Sequence, residues 1–238
     1  MAFSGGLDVK TDAFVRKFER AFPPRRRLAP TWWYERGWLR RWVDLCPTVR
    51  GMTASKNQRL LNLAFSCLPA DEAYLEVGTY QGKTLVSALL HNPPRQAYAC
   101  DNFSEFAQSE GEAILQRNLA RHGLSGRVTF LNADFRTALR PDRIRHPIGL
   151  YLNDGAHDEE SQYLGIRLCE PLLADEALVV VDDWRHAADS GSWAEAGTKR
   201  GIAESRHEWT VLYELPARHN GDHAMWWNGV GVLTFKRR

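Results

Sequence analysis

From residue 73 onward, short apolar runs alternate with segments of helical periodicity, and this alternation constrains the fold more than any other feature of the sequence. The apolar runs are residues 73–77, 96–100, 127–131, 148–152 and 177–181. The helical segments between them are residues 82–91, 103–122, 135–140 and 159–173. Strands that are separated by helices form βαβ units, whose strands pair in parallel. The sequence therefore predicts an α/β fold with a mostly parallel sheet and helices on both faces.

Elements of other kinds are predicted at the two ends of the chain. The last two apolar runs, 210–215 and 230–236, are joined by a connection too short for a crossover helix, so we expect an antiparallel C-terminal hairpin at one edge of the sheet. Extra N-terminal helices are predicted over 8–22 and 31–45. A third is predicted to be capped by Thr53 or Ser55 and to run to Leu68.

The first fifty residues differ from the rest in composition. They hold eleven basic and five acidic side chains, although the whole chain has a net charge of only +2. Four of the nine tryptophans are crowded into this part of the chain, namely Trp32, Trp33, Trp38 and Trp42. Because clustered aromatic side chains suit both a substrate pocket and a protein interface, we expect residues 1–50 to form a helical lid or a homodimerisation extension. Residues 51–238 are then the main domain.

Several classes of protein are disfavoured by composition. No apolar run approaches the roughly 20 residues that a membrane helix requires, so no membrane partner is expected. The four cysteines show neither a C-x-x-C pair nor the spacing of a metal finger, and the first ten residues lack the basic and apolar regions of a signal peptide. These features predict reduced thiols and a cytoplasmic protein.

The segment from Tyr74 to Thr84 is a strand that runs into a turn with two glycines and then into a helix. Such a turn allows close approach of a ligand to the backbone, and the helix offers unpaired N–H groups. Gly82-Lys83-Thr84 is similar to the end of an ATP-binding P-loop. That loop needs four residues between its first glycine and the Gly-Lys-Thr, whereas only three separate Gly78 from Gly82.

The pattern E-x-G-x-x-x-G at Glu76–Gly82 instead resembles the first motif of the class I S-adenosylmethionine-dependent methyltransferases. More specifically, the chain resembles the macrocin O-methyltransferase type, which acts on small molecules. The segments that carry this resemblance are Gly51–Thr53, Glu76–Thr84, Asp154–His157 and Ala177–Trp184. The resemblance implies a Rossmann-like seven-stranded sheet, S-adenosylmethionine as the cofactor, and transfer of a methyl group to a hydroxyl group.

The same resemblance implies the residues that bind the cofactor. In this family Glu76 would fix the glycine turn, Asp101 would accept hydrogen bonds from the ribose hydroxyls, and Asp134 would lie near the adenine. The alternative for Asp101 or Asp134 taken singly is a helix N-cap. The full predicted set is Glu76, Gly78, Thr79, Tyr80, Gly82, Thr84, Asp101, Asn102, Ala133, Asp134 and Asp154.

Three acidic residues follow the fourth and fifth predicted strands. Asp154 ends the fourth strand, and Asp182 and Asp183 end the fifth. Carboxylates that meet at one sheet edge repel one another unless a cation or a proton intervenes, and ligands that are all oxygen suit Mg²⁺ or Ca²⁺. Since related methyltransferases hold a metal ion with acids at these places, the resemblance implies a metal site at Asp154, Asp182 and Asp183. The alternative is that one acid caps a helix and another faces solvent.

A hydroxyl group must lose its proton before it attacks a sulfonium methyl group. His157 is the predicted general base because its ordinary pKa lies near neutrality, and Asp154 is the alternative. A metal-bound hydroxyl would lose its proton more easily. The expected acceptor is a small molecule that carries a hydroxyl group.

Three other functions remain open at this point. A nucleic-acid methyltransferase is suggested by the basic, Trp-rich first fifty residues and by Asn92-Pro93-Pro94-Arg95. That four-residue segment, however, follows the first core helix and ends in Arg95, and Asn153–His157 provides no aromatic side chain for a flipped base. A cofactor-binding scaffold without catalysis is the second, and a P-loop enzyme that uses ATP is the third. We expect no nucleic-acid partner.

Overall fold

The fold is a seven-stranded sheet in the order β3-β2-β1-β4-β5-β7-β6. The structure, a computed structural model, describes residues 9–31, 44–106, 110–184 and 191–238. The strands are β1 Ala73–Val77, β2 Ala97–Asp101, β3 Val128–Asn132, β4 Ile148–Asn153, β5 Leu173–Asp182, β6 Glu208–Leu215 and β7 Val230–Lys236. Strands β1 to β5 pair in parallel, and β7 lies antiparallel between β5 and β6. The predicted α/β sheet with an antiparallel C-terminal hairpin is confirmed.

Eight α-helices accompany the sheet within the described residues. They are α1 Val9–Ala21, α2 Pro24–Arg27, α3 Ser55–Phe65, α4 Lys83–Leu89, α5 Gly111–Arg121, α6 Phe135–Ala138, α7 Glu159–Cys169 and α8 Trp193–Ala203. Short 3₁₀ turns at Ser104–Phe106, Ser125–Arg127 and Glu170–Leu172 join some of them to their neighbours. The helices predicted over 8–22 and between the strands are confirmed in type. Their ends differ by a few residues, except that the helix predicted over 103–122 has its α-helical part only from Gly111 to Arg121.

Two helices differ from the sequence-based expectation. The third N-terminal helix begins after Ala54, whose side chain makes no capping bond, and its α-helical part ends at Phe65 instead of Leu68. Neither Thr53 nor Ser55 acts as its N-cap. The helix expected over 31–45 falls mainly on residues 32–43, which lie outside the described residues.

Helix α8 was not predicted, and its glycines explain why. Gly197 and Gly201 lower helix propensity and interrupt the apolar periodicity. In the folded chain they allow close packing on α7, because a Cβ at Gly197 would lie 2.4 Å from the carbonyl oxygen of Glu159. The local signal for this helix was a capping pattern, in which the Ser192 side chain accepts a hydrogen bond from the backbone N–H of Glu195.

The strand order creates a crevice at the carboxyl edge of the sheet. From β1 the chain proceeds outward through β2 to β3, and it then returns to the other side of β1 for β4 and β5. The loops after β1 and β4 therefore diverge to opposite sides, and this divergence leaves the opening in which α/β proteins bind ligands. Residues that follow β1 to β5 surround this opening.

Helix α1 packs into the same hydrophobic core as the helices that follow it. Phe14, Phe18 and Phe22 are buried within one cluster that also contains residues of α3 and of the sheet. The ring centroids of Phe18 and Tyr213 are 4.4 Å apart, and those of Phe22 and Trp226 are 5.0 Å apart. The function predicted for residues 1–50, a lid or a dimer surface, stays a prediction. No helix in the described ranges is long and apolar enough to cross a membrane.

We predict that Phe18→Ala lowers the free energy of unfolding by about 3–5 kcal/mol, because it leaves a cavity among buried aromatic rings. Urea denaturation of the full chain measures this change. The matched control is Arg20→Ala on the exposed face of the same helix, which we expect to change stability by less than about 0.5 kcal/mol. Equal effects of the two substitutions would contradict the packing of α1 into the core.

Candidate active site

A cavity of about 470 Å³ lies at the carboxyl edge of the sheet, where the strand order reverses. Most of the residues that the sequence indicated as site residues line it. These are Gly78, Thr79, Tyr80, Thr84, Asp101, Asn102, Ala133, Asp134, Asp154, His157, Asp182 and Asp183. Glu76 and Gly82 are the two that do not line the cavity. One open space therefore joins the glycine turn to the acidic residues.

Glu76 lies beneath the glycine turn and is fully buried. Its carboxylate accepts hydrogen bonds from the hydroxyls of Tyr74, Thr79 and Thr84, at 2.5, 2.7 and 2.9 Å. Burial raises the pKa of Glu76 to about 7, although the three hydroxyl groups oppose that rise. The carboxylate thus ties β1, the turn and the start of α4 together, and it acts on any ligand only through them.

The two glycines of the turn adopt left-handed conformations, with φ of +86° at Gly78 and +84° at Gly82. A Cβ at Gly78 would lie 1.7 Å from the carbonyl oxygen of Asp154, so only glycine permits the turn to contact the end of β4. At Gly82 a Cβ would lie 2.6 Å from a methyl group of Leu115. The sequence motif is therefore a packing requirement as well as a ligand-binding feature.

Asp101 holds the loop that follows β2 against the glycine turn. Its two carboxylate oxygens accept hydrogen bonds from the backbone N–H groups of Tyr80 and Phe103, both at 2.7 Å. The side chain also lines the cavity, as does Asn102, whose amide oxygen accepts from the N–H of Ser104. Each carboxylate oxygen has a second lone pair, so Asp101 retains the capacity to accept bonds from a ligand diol.

At the end of β3, Asp134 is the N-cap of helix α6, as the alternative for this residue anticipated. Its side chain accepts a hydrogen bond from the backbone N–H of Arg136 at 2.8 Å and forms an ion pair with the Arg136 guanidinium at 3.1 Å. Asp134 nevertheless lines the cavity together with Ala133. Capping and ligand contact are compatible, because the cap occupies only part of the carboxylate.

The lysine of the Gly-Lys-Thr sequence is occupied elsewhere in the structure. The Lys83 ammonium group forms an ion pair with Asp44 and donates to the carbonyl oxygen of Val49 at 3.0 Å. The Thr84 hydroxyl donates to Glu76. In a P-loop the lysine and the threonine would serve phosphates and a magnesium ion, so these contacts disfavour ATP as the ligand.

The acidic residues after β4 and β5 face the same cavity as His157. Asp183 accepts a hydrogen bond from His157 Nδ1 at 2.6 Å and another from the Asn228 side chain at 2.7 Å. Asp182 is buried and accepts from Asn57 at 3.2 Å. Burial, together with the neighbouring carboxylates, raises the pKa of both Asp154 and Asp182.

The hydrogen bond that His157 donates to Asp183 raises the pKa of His157 to about 9, although desolvation opposes it. The second ring nitrogen, Nε2, lies 3.8 Å from a carboxylate oxygen of Glu105. A carboxylate that holds one imidazole nitrogen fixes the orientation of the ring and directs the other nitrogen away from it. His157 and Asp183 therefore form an oriented pair at the edge of the cavity.

These contacts do not form a metal centre. Within the described ranges, no group of three or more His, Cys, Asp or Glu side chains is arranged to hold a metal ion. Asp182 is turned toward Asn57, and Asp183 toward His157 and Asn228. The metal site that the resemblance implied on these acids therefore stays a prediction.

Several cavity residues were not identified from the sequence. Four of them, Asn220, Gly221, Trp227 and Asn228, belong to the connection between β6 and β7, and the others include Ser104, Glu105 and Arg136. The connection is distant in sequence from every predicted motif and reaches the cavity only because β7 inserts beside β5. Among the local signals, only the neighbouring tryptophans at 226 and 227 distinguished it.

We predict that Gly78→Ala destabilises the fold by at least about 2 kcal/mol more than Gly123→Ala. Both glycines have positive φ, but a Cβ at Gly123 would meet no atom within 4 Å, whereas one at Gly78 would overlap the Asp154 carbonyl. Gly123→Ala thus isolates the conformational cost of about 1–2 kcal/mol. Thermal unfolding of the two variants makes the comparison, and equal losses would contradict the close contact at Gly78.

We predict that the free energy of unfolding of the wild type falls relative to that of Glu76→Gln when the pH rises from about 5 to about 8. The expected fall is on the order of 2–3 kcal/mol. The pKa of Glu76 is about 7 in the folded protein, against an ordinary value of 4.5. Between pH 4.5 and about 7, the folded protein therefore keeps a proton on Glu76 that the unfolded chain releases. This contribution is complete below the unfolded pKa and is lost as the pH passes the folded one. Urea denaturation across this range measures the difference, and a constant difference would contradict the raised pKa.

Comparison with known proteins agrees with this geometry. A protein-family model described as a methyltransferase domain matches residues 75–184. A comparison with curated protein sequences finds no significant match. Among solved structures, the cofactor-bound protein Rv0187 from MTB has a TM-score of 0.56 and 20% identity over 79% of this chain and 82% of its own.

Two O-methyltransferase structures have the same fold. The enzyme from Bacillus cereus in complex with SAH has a TM-score of 0.58 and 14% identity, over 81% of this chain and 87% of its own. TomG from Streptomyces achromogenes, involved in tomaymycin synthesis and in complex with SAM, has a TM-score of 0.54 and 17% identity, over 83% and 88%. At these identities the structural likeness concerns the fold. Together with the match of residues 75–184 to a methyltransferase domain, it shows that the chain has a methyltransferase fold.

Proposed function

We propose that the chain transfers the methyl group of S-adenosylmethionine to a hydroxyl group of a small molecule. The observation that carries this proposal is the single cavity that extends from the glycine turn to the pair of His157 and Asp183. A cofactor bound along the turn would have its reactive end near the acids, where proton transfer is available. The O-methyltransferases of the same fold support a hydroxyl as the acceptor.

In this proposal the cofactor lies along the carboxyl ends of β1, β2 and β3. The turn at Gly78–Tyr80 would bind the methionine end, Asp101 and Asn102 the ribose, and Ala133 with Asp134 the adenine. All of these residues line the cavity. Glu76 and Gly82 do not line it and support the turn from below. The cofactor supplies an electrophilic sulfonium methyl group, and the protein must hold the acceptor oxygen in line behind it.

The acceptor must be deprotonated, and His157 is the proposed general base. Because its pKa is raised to about 9, it accepts a proton only in its neutral form, whose share grows as the pH approaches that value. The hydrogen bond to Asp183 fixes the imidazole ring and stabilises its charge after proton transfer, as a carboxylate does for other catalytic histidines. Asp154 lies at the end of β4 beside the turn and is the alternative proton acceptor. Nearby carboxylates disfavour an anionic acceptor, so a neutral molecule suits the cavity better than the phosphate backbone of a nucleic acid.

The predicted metal ion remains a prediction on Asp154, Asp182 and Asp183, and no step of this proposal depends on it. We expect turnover to continue in EDTA, because His157 and Asn57 already satisfy two of these acids. Loss of turnover in EDTA, restored by Mg²⁺ or Ca²⁺, would reinstate the metal site.

The first test of the function is a calorimetric titration with S-adenosylmethionine. Binding with a one-to-one stoichiometry supports the proposal, and no binding refutes it. ATP titrated in parallel separates the P-loop alternative. Turnover with hydroxylated small molecules then distinguishes an enzyme from a cofactor-binding scaffold, and a titration with RNA at low and high salt tests the nucleic-acid alternative.

We predict that His157→Ala lowers kcat by about 10²–10⁴-fold, the usual contribution of a general base, and leaves the affinity for S-adenosylmethionine within about twofold. His146→Ala is the matched control, because His146 precedes β4 at the opposite edge of the sheet and contacts Tyr98. Steady-state kinetics and calorimetry measure the two quantities. If His157→Ala retains full activity while Asp154→Asn is inactive, Asp154 is the base instead.

A further inference from the structure

The connection between β6 and β7, residues 216–229, forms a wall of the cavity that lies beyond the residues assigned to the cofactor. Asn220, Gly221, Trp227 and Asn228 line this wall, and Asn228 donates a hydrogen bond to Asp183 at 2.7 Å. The wall is thus adjacent to the acids where the acceptor hydroxyl must lie. We refer to residues 216–229 as the β6–β7 loop.

The β6–β7 loop is held in a defined shape by internal contacts. The buried carboxylate of Asp222 accepts two hydrogen bonds from the Arg218 guanidinium, at 2.7 and 2.8 Å. The backbones of Asp222 and Trp227 form a two-bond bridge, and the Asn228 side chain accepts from the N–H of Gly221 at 2.6 Å. A loop closed in this way presents its side chains in a reproducible position.

The neighbouring tryptophans of this loop have opposite roles. Trp226 is fully buried; its ring packs against Phe22, and its Nε1 donates to the carbonyl oxygen of Arg27 at 2.9 Å. Trp227 is only partly buried and lines the cavity. Trp226 therefore anchors the loop in the core, and this anchoring leaves Trp227 at the cavity.

The backbone of Trp227 is strained, which indicates a requirement beyond folding. Its φ of +59° lies in the left-handed region that a bulky side chain seldom adopts. Such strain persists where the surroundings impose it, and it is concentrated at binding and catalytic sites. The His223 ring meets Trp227 edge-on, with centroids 4.6 Å apart, and so limits the movement of the indole.

We propose that Trp227 is the acceptor-binding residue, and that it selects a neutral aromatic ring that bears a hydroxyl group. An indole surface fixed at the cavity stacks on a planar ring. A phenolic hydroxyl has a pKa of about 10, against about 15.7 for water, so a histidine or a carboxylate removes its proton far more easily than that of an aliphatic alcohol. This inference rests on the proposed function, because it names the acceptor of the same methyl transfer.

The test compares two acceptors that differ only in the ring, catechol and its saturated analogue cyclohexanediol. Each is titrated by ligand-observed NMR into the full chain saturated with S-adenosylhomocysteine, whose own binding is first measured by calorimetry. We expect catechol to bind about tenfold more tightly than cyclohexanediol. We expect Trp227→Ala and Trp227→Leu to remove this preference and Trp227→Phe to keep most of it, with the affinity for S-adenosylhomocysteine unchanged in all three.

The matched control is Trp193→Ala, at an exposed tryptophan of α8, which should leave both affinities unchanged. If S-adenosylhomocysteine binds but catechol does not, or if the two acceptors bind equally well to the wild type, the aromatic-acceptor proposal is wrong and the proposed function stands. If Trp227→Leu, which keeps apolar bulk, retains the catechol preference, Trp227 is not the selecting residue. If S-adenosylhomocysteine itself does not bind, both proposals fail.

Discussion

The structure depends on the contact between the glycine turn after β1 and the end of β4. Gly78 has no Cβ, so its backbone lies directly against the carbonyl of Asp154, and the Asp154 N–H donates to the Val77 carbonyl at 3.0 Å. Beneath the turn, the buried Glu76 carboxylate receives three hydroxyl groups. The glycine turn and the acidic side of the cavity are thus fixed to each other by backbone contacts.

This arrangement explains why carboxylates are concentrated at one edge of the sheet. Parallel strands bring their carboxyl ends to the same edge, so residues separated by up to a hundred positions meet there. Three of these acids have different partners: Asp101 receives backbone N–H groups, Asp134 caps α6 and pairs with Arg136, and Asp183 accepts from His157. The partners differ in kind, and for this reason acids with the same position relative to a strand have different chemical roles.

The cavity combines residues that the sequence motifs indicated with residues of the β6–β7 loop, which they did not indicate. The turn, Asp101 and the segment 132–134 occur where cofactor-binding residues are expected in this fold. The β6–β7 loop is different, because it reaches the acids through Asn228 and is anchored by Trp226 against α1 and the segment that follows it. The N-terminal helix therefore supports the β6–β7 wall of the cavity through the core, although it lies far from that loop in sequence.

The sequence by itself determined the α/β class, the succession of strands and of most helices, the antiparallel hairpin and many of the residues that line the cavity. These follow from local periodicity and from a turn motif in which glycine is sterically required. Only the tertiary structure decided the insertion of β7 beside β5, the close packing of α8 through its glycines, and the presence of Trp227 at the cavity. It also decided the partners of the acids. Asp183 contacts Asn228, 45 residues away in the chain, because the β6–β7 loop folds back beside β5, and no local pattern in the sequence records such a long-range contact.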